Sequence, residues 1–226
     1  MSYSSEKEDY FSKRLPYDPY RDTVWWEIVR FLRVYIPRDG VVLEVGAAYC
    51  HFINHVTCRE RHALDVSPIV KDYAAKGVIV HTGSVTRMNQ FDDNSLDLVF
   101  ASNVFEHLDD REFEDAAREI RRVLKPSGRL ILLQPNFRYA YRDYFDDYTH
   151  KKIFNDVGMS GHLEHVGFAV ERVLPRFCPF SLSKSPFKVP GFLVRLYLNS
   201  PIRPFSKQML VIARANKQHD GCGDAF

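Results

Sequence analysis

Short apolar runs separated by helical stretches constrain this chain more than any other feature of it. Val41-Val42-Leu43-Glu44-Val45, His62 to Val66, Gly77 to His81, Leu96 to Ala101 and Arg129 to Leu133 are each mostly apolar along their length. A run that is apolar at successive positions is covered on both faces of the pleat, and such strands belong to parallel sheets buried under helices. The clearest intervening helix is predicted over Arg111 to Leu124. Phe113, Ala116, Ala117, Ile120, Val123 and Leu124 fall on one face, and Asp109 or Asp110 can cap the start. Acids crowd its first half and Arg118, Arg121, Arg122 and Lys125 its second, which matches the helix dipole, and Pro126 and Gly128 end it. Other helices are predicted over Thr23 to Ile36, from near Cys50, and over Asp156 to His165. Strands are predicted at Ala169 to Leu174 and Gln208 to Ala213. This alternation predicts an α/β fold, a mostly parallel sheet with helices on both faces.

Composition narrows the function classes. The 226 residues are 45% hydrophobic and 27% charged, enough for a buried core and unlike a disordered chain. A net charge of +2 gives no argument for a nucleic-acid partner. No apolar run approaches the ~20 residues that span a bilayer. The polar N-terminus has no apolar signal core, so a cytoplasmic protein is expected. Cys50, Cys58, Cys178 and Cys222 make no C-x-x-C pair and have no His at zinc spacing, so reduced thiols and no metal are expected. Residues 1–22 read as an N-terminal strap, 23–215 as one domain, and 216–226 as a disordered tail.

In an open parallel sheet, ligands sit at the carboxyl ends of the strands. The first strand ends in Glu44-Val45-Gly46-Ala47-Ala48, where a Gly permits a tight turn and small neighbours admit a ligand. The second ends at Asp65, 21 residues after Glu44, where an acid can accept both hydroxyls of a ribose. Gly83-Ser84 follows the third, and Ser102-Asn103 the fourth. A dinucleotide fingerprint needs Gly at 46, 48 and 51, but the chain has Gly46, Ala48 and His51. S-adenosylmethionine has the ribose and adenine without a phosphate, and its positive charge suits Glu44. An ordinary βα turn explains Gly46 alone equally well.

These segments together resemble the class I S-adenosylmethionine-dependent methyltransferases, over about residues 40–175. The chain is similar to their bacterial type 11-like branch, which is found with polysaccharide and glycosyl-transfer enzymes. VLEVGAAYCHFINHV (41–55) resembles the cofactor loop, with Ala48 and Cys50 where the family has its later glycines. ALDVSP (63–68) resembles the ribose-binding strand end, and GSVTRMNQFDDNSLDLVFASNVFEHL (83–108) the stretch from the adenine site to the strand-four loop. REIRRVLKPSGRLILLQPN (118–136) resembles the helix and strand that follow. The resemblance implies a seven-stranded, mostly parallel Rossmann-like sheet. It places cofactor contacts at Glu44, Gly46, Ala47, Ala48, Tyr49, Phe52, Asp65, Val66, Ser84, Val85, Ser102 and Asn103. Many relatives have Asp where this chain has Ser84.

Within that frame His107 is the catalytic candidate, a general base for a hydroxyl acceptor. A loop-capping or cofactor-contact role is the alternative. The stretch 137–150 is dense in aromatics and acids, a composition that suits a saccharide. Tyr141, Asp146, Asp147, Tyr148 and His150 are its candidate acceptor residues, with a surface loop as the alternative. A small-molecule N- or C-methyltransferase and a silent binding protein stay open, the latter favoured by Ala48, Cys50 and Ser84. From Arg172 to His219 there are nine Lys or Arg and no acid, around a basic and apolar insertion at 185–205. It can meet the inner face of an anionic membrane or an acceptor phosphate, or it can be a lid or a homodimer contact.

Overall fold

A computed structural model of the chain describes residues 16–179 and 189–217. Lys184 and Lys188, the first residues of the strap and most of the C-terminal tail lie outside them. A seven-stranded sheet runs in the order β3-β2-β1-β4-β5-β7-β6. Its strands are β1 (Val41–Val45), β2 (Glu60–Asp65), β3 (Val78–Thr82), β4 (Leu96–Ser102), β5 (Leu124–Pro135), β6 (Phe168–Cys178) and β7 (Gln208–Ala215). The first five are parallel, while β7 is antiparallel to both β5 and β6. The first four strands begin and end within a few residues of their sequence positions. β5 is the exception, since its first residue, Leu124, follows directly on the preceding helix.

Alternation along the pleat builds two cores. Leu43, Val45, Val99, Leu130 and Leu132 face one side, with α3 (Asp110–Val123) and α5 (Asp156–His165) packed on them. Val42, Leu98, Phe100, Ile131 and Leu133 face the other, under α1 (Tyr20–Leu32) and α6 (Gly191–Asn199). Two single-turn helices, α2 (Val70–Tyr73) and α4 (Phe137–Ala140), join them among the described residues. α3 starts as its sequence demands. Asp109 accepts the Glu112 N–H, and the Glu112 carboxylate accepts the Asp109 N–H, both at 2.9 Å.

Two expectations are corrected. The first helix ends at Leu32 rather than Ile36: Tyr35 and Ile36 keep the apolar spacing because they still pack on the core, from a turn. No α-helix follows the first strand. Ala48 and Cys50 have φ of 42° and 56°, which a right-handed helix excludes, and only a 3-10 turn at Ile53–His55 fits before β2. The 185–205 insertion contains a helix laid on α1. Arg195 donates from two nitrogens to the buried Glu27, at 2.9 and 2.7 Å.

Three cations of the basic run, Arg195, Lys207 and Arg214, pair with acids outside it. Arg214 pairs with Glu171, Lys207 with Asp143, and Arg172 donates to the Tyr35 hydroxyl. Arg203 donates to the carbonyls of Arg176 and Leu198. Phe192, Leu193, Leu196, Ile202 and Phe205 stay exposed. Among the described residues no helix is long and apolar enough to cross a membrane.

Candidate active site

The strand order reverses between β1 and β4, so the loops after these two strands face one another across a crevice. Gly46 turns there with φ 63°, and a Cβ on it would lie 2.3 Å from Val104 Cγ2. Only glycine fits. Ala48 and Cys50 hold left-handed conformations at the family's other glycine positions, so the loop keeps a glycine-like path with larger residues. Val104 went unnoticed in the sequence, where nothing marks the one side chain that seals the turn.

Glu44 and Asp65 tie this loop down from within. Glu44 Oε2 accepts the Ile53 N–H at 2.9 Å, and burial pushes its carboxyl up to about 8. Asp65 accepts the Ala48 N–H at 2.8 Å on one oxygen and the Ser67 N–H at 2.7 Å on the other. Each oxygen can accept a second bond. Val66 beside it is exposed, Ala47, Tyr49 and Phe52 are buried, and Phe52 stacks on Phe100 with centroids 3.8 Å apart. Tyr17, just before α1, packs on Tyr49 and Tyr73.

The third strand end is more local. The Ser84 hydroxyl pairs with Thr86 Oγ1 at 2.8 Å, and Val85 is buried. Just past β4, Asn103 takes φ 52°, and its side chain donates to Ser102 Oγ at 3.4 Å and accepts from Gln208 at 2.7 Å. Gln208 is another residue the sequence did not single out.

Beyond Asn103, a 3-10 turn at Phe105–His107 meets the segment 144–152. The Lys151 and Lys152 N–H groups donate to the Glu106 carbonyl at 2.8 and 3.2 Å. That brings His150 against His107, with ring centroids 4.9 Å apart. Thr149 Oγ1 donates to Asp147 Oδ1 at 2.5 Å and lies 2.9 Å from His107 Nδ1. A hydroxyl whose proton is committed to a carboxylate can only accept from the ring, so Nδ1 carries the hydrogen and Nε2 the lone pair. Burial and the neighbouring His150 push His107 down to about 4, against the pull of Asp147. Burial lowers His150 as well.

The acceptor candidates divide. Asp147 and His150 gather at His107, whereas Tyr141, Asp146 and Tyr148 are exposed on the surface of the same segment. The Tyr141 hydroxyl accepts from its neighbour Arg142 at 3.1 Å. Thr149, which joins Asp147 to His107, was passed over in the sequence although it lies inside the singled-out stretch. Glu106 is the least expected member: it is fully buried, and neither carboxyl oxygen has a hydrogen-bond partner.

Residues 43–132 match the family described as a methyltransferase domain. An uncharacterised protein of Methanocaldococcus jannaschii is 31% identical over 120 residues, 53% of this chain and 48% of that protein. The match therefore spans about half the length of that relative. Among solved structures, a S-adenosylmethionine-dependent methyltransferase of Archaeoglobus fulgidus superposes with a TM-score of 0.64 at 19% identity, covering 94% of this chain and 100% of that one. A chain of the Haloferax volcanii complex between the Trm112 methyltransferase activator and a methyltransferase gives 0.66 at 16% identity, covering 95% and 97%. Residues 43–132 thus match a methyltransferase-domain model, and the chain shares its fold with a S-adenosylmethionine-dependent methyltransferase.

Proposed function

We propose that the chain methylates a hydroxyl of a saccharide or glycoconjugate, with His107 taking the acceptor proton. One observation carries the base role: the Asp147–Thr149–His107 chain of hydrogen bonds, which orients the imidazole and leaves its Nε2 lone pair as the acceptor. The saccharide rests on the aromatic and acidic stretch beside it and on the resemblance.

The cofactor crevice suits S-adenosylmethionine by its donor chemistry. A turn without a side chain at Gly46, the Asp65 oxygens at the end of β2 and the exposed apolar Val66 supply room, ribose acceptors and a face for an adenine. The glycine-like path at Ala48 and Cys50 favours a working cofactor loop over a silent one. When bound, the cofactor supplies a methyl on a positively charged sulfur, open to in-line displacement. The protein's own part is alignment and proton removal. His107 Nε2 accepts the hydroxyl proton as the new C–O bond forms. Asp147, two hydrogen bonds away, stabilises the resulting imidazolium through Thr149.

A nitrogen or carbon acceptor is the second reading, favoured by the low basicity of His107. Measuring turnover and cofactor affinity on His107→Ala tests the base. A large fall in turnover with near-normal affinity supports it; unchanged turnover at saturating cofactor removes His107 from the mechanism. Labelled-methyl screening of saccharide, amine and carbon acceptors separates the two readings.

A further inference from the structure

The hydrogen-bond chain to His107 leaves Glu106 without a role. Its carboxyl is fully buried, and neither oxygen has a partner. Burying such a group unpaired is unfavourable unless a ligand satisfies it. The groups that approach it are imidazoles: one donor atom each from Glu106, His107 and His150 lie within 4.8 Å of one another. We propose that these three side chains form a binding site for a divalent transition-metal ion of the Zn2+ class.

Two nitrogens and a carboxylate oxygen are a donor set that Zn2+ and Co2+ accept, with a position left for water or a substrate oxygen. A tetrahedral ion with bonds of about 2.0–2.2 Å keeps its ligands about 3.3–3.6 Å apart, so the three side chains need to close by at most about 1.5 Å. The surroundings hold them for this. The Thr149 hydroxyl accepts from His107 Nδ1, and His150 is hydrogen-bonded to the Tyr144 backbone. Ligand imidazoles are commonly oriented in this way through their second nitrogen. The Lys151 and Lys152 N–H bonds to the Glu106 carbonyl lock the two contributing loops together. These lysines are paired with acids, Lys151 with Glu112 at 2.9 Å and Lys152 with Asp110 at 2.6 Å, although the Lys151 charge still acts against positive charge on His107.

The site stands on three donor atoms and does not depend on the acceptor or on the base role of His107. An ion there takes the same Nε2 lone pair that an acceptor proton would. Ion binding and general-base action are therefore alternative states of one imidazole.

The test uses the full chain, freed of metal with a chelator. Calorimetric titration with Zn2+ is expected to show one ion per chain. Titration with Co2+ is expected to give the visible bands of a low-coordinate nitrogen and oxygen site. Glu106→Gln and His150→Ala should each weaken Zn2+ at least about tenfold, with S-adenosylmethionine binding by Glu106→Gln reporting that the fold is kept. X-ray absorption on the unaltered Zn2+-loaded protein is expected to show nitrogen and oxygen neighbours only. Absence of stoichiometric uptake, sulfur neighbours, or undiminished affinity in Glu106→Gln would each overturn the site. None of these outcomes touches the methyltransferase reading, which the cofactor titration reports separately.

Discussion

Glu44 and Glu106 stand on either side of the point where the strand order reverses, and they are alike in all but their partners. Both are buried, at 4% and 0% exposure, and burial pushes both carboxyls up to about 8. Glu44 accepts the Ile53 N–H and so anchors the loop that turns at Gly46. Glu106 accepts nothing on its side chain and sits beside two imidazoles. Equal burial and equal shift thus accompany opposite roles. An acid satisfied by backbone is part of the scaffold. An acid left unsatisfied next to lone pairs is part of a site.

The largest expected effect lies on the Glu106 side. His107→Ala should lower turnover by about 10²–10⁴-fold, the usual worth of a general base. With the imidazole held at about 4, the unaltered enzyme's rate should be nearly flat above about pH 5 and fall below it, where the ring protonates. This corrects the rise near neutrality that an unshifted histidine would give, and a pH–rate profile checks it.

On the Glu44 side, Asp65→Ala should weaken S-adenosylmethionine by about 1.5–3 kcal/mol, the loss of a charged hydrogen bond. It should also loosen the loop, because the Ala48 and Ser67 N–H groups lose their acceptor. Calorimetry and thermal melts read the two losses separately. Unchanged cofactor affinity would make Asp65 purely a loop anchor, like Glu44.

Glu44 itself should show in the pH dependence of stability. Its folded pKa lies above the unfolded value, so its contribution is complete below about pH 4.5 and is lost as pH rises toward 8. The expected slope is about 1.4 kcal/mol per pH unit across that window. Glu44→Gln should flatten the slope in denaturant titrations at several pH values. The smallest effect is Ala48→Gly, which relieves a left-handed alanine and should stabilise by about 0.5–1 kcal/mol.

Legibility differed along the chain for physical reasons. The helix over Asp110–Val123 could be placed to within a residue because its cap, charges and apolar face all agree. The helix expected from Cys50 failed because the loop path at Ala48 and Cys50 is set by packing around Gly46, against local preference. The basic run from Arg172 suggested a charged surface. Glu27, Asp143 and Glu171, remote or just outside it, pair with three of its cations.

The sequence by itself determined the alternation of buried strands and helices, the turn at Gly46 and the acid at the end of β2. Each is written in a few consecutive residues, through side-chain period and backbone freedom. Only the tertiary structure decided that Thr149 reaches His107 across 42 residues of chain, that His150 follows it, and that Glu106 is left unpartnered between strands and loop. Those facts depend on the Lys151 and Lys152 N–H bonds to the Glu106 carbonyl, which join segments that no local pattern relates. Burial, and with it the shift of every group in the site, exists only after that joining.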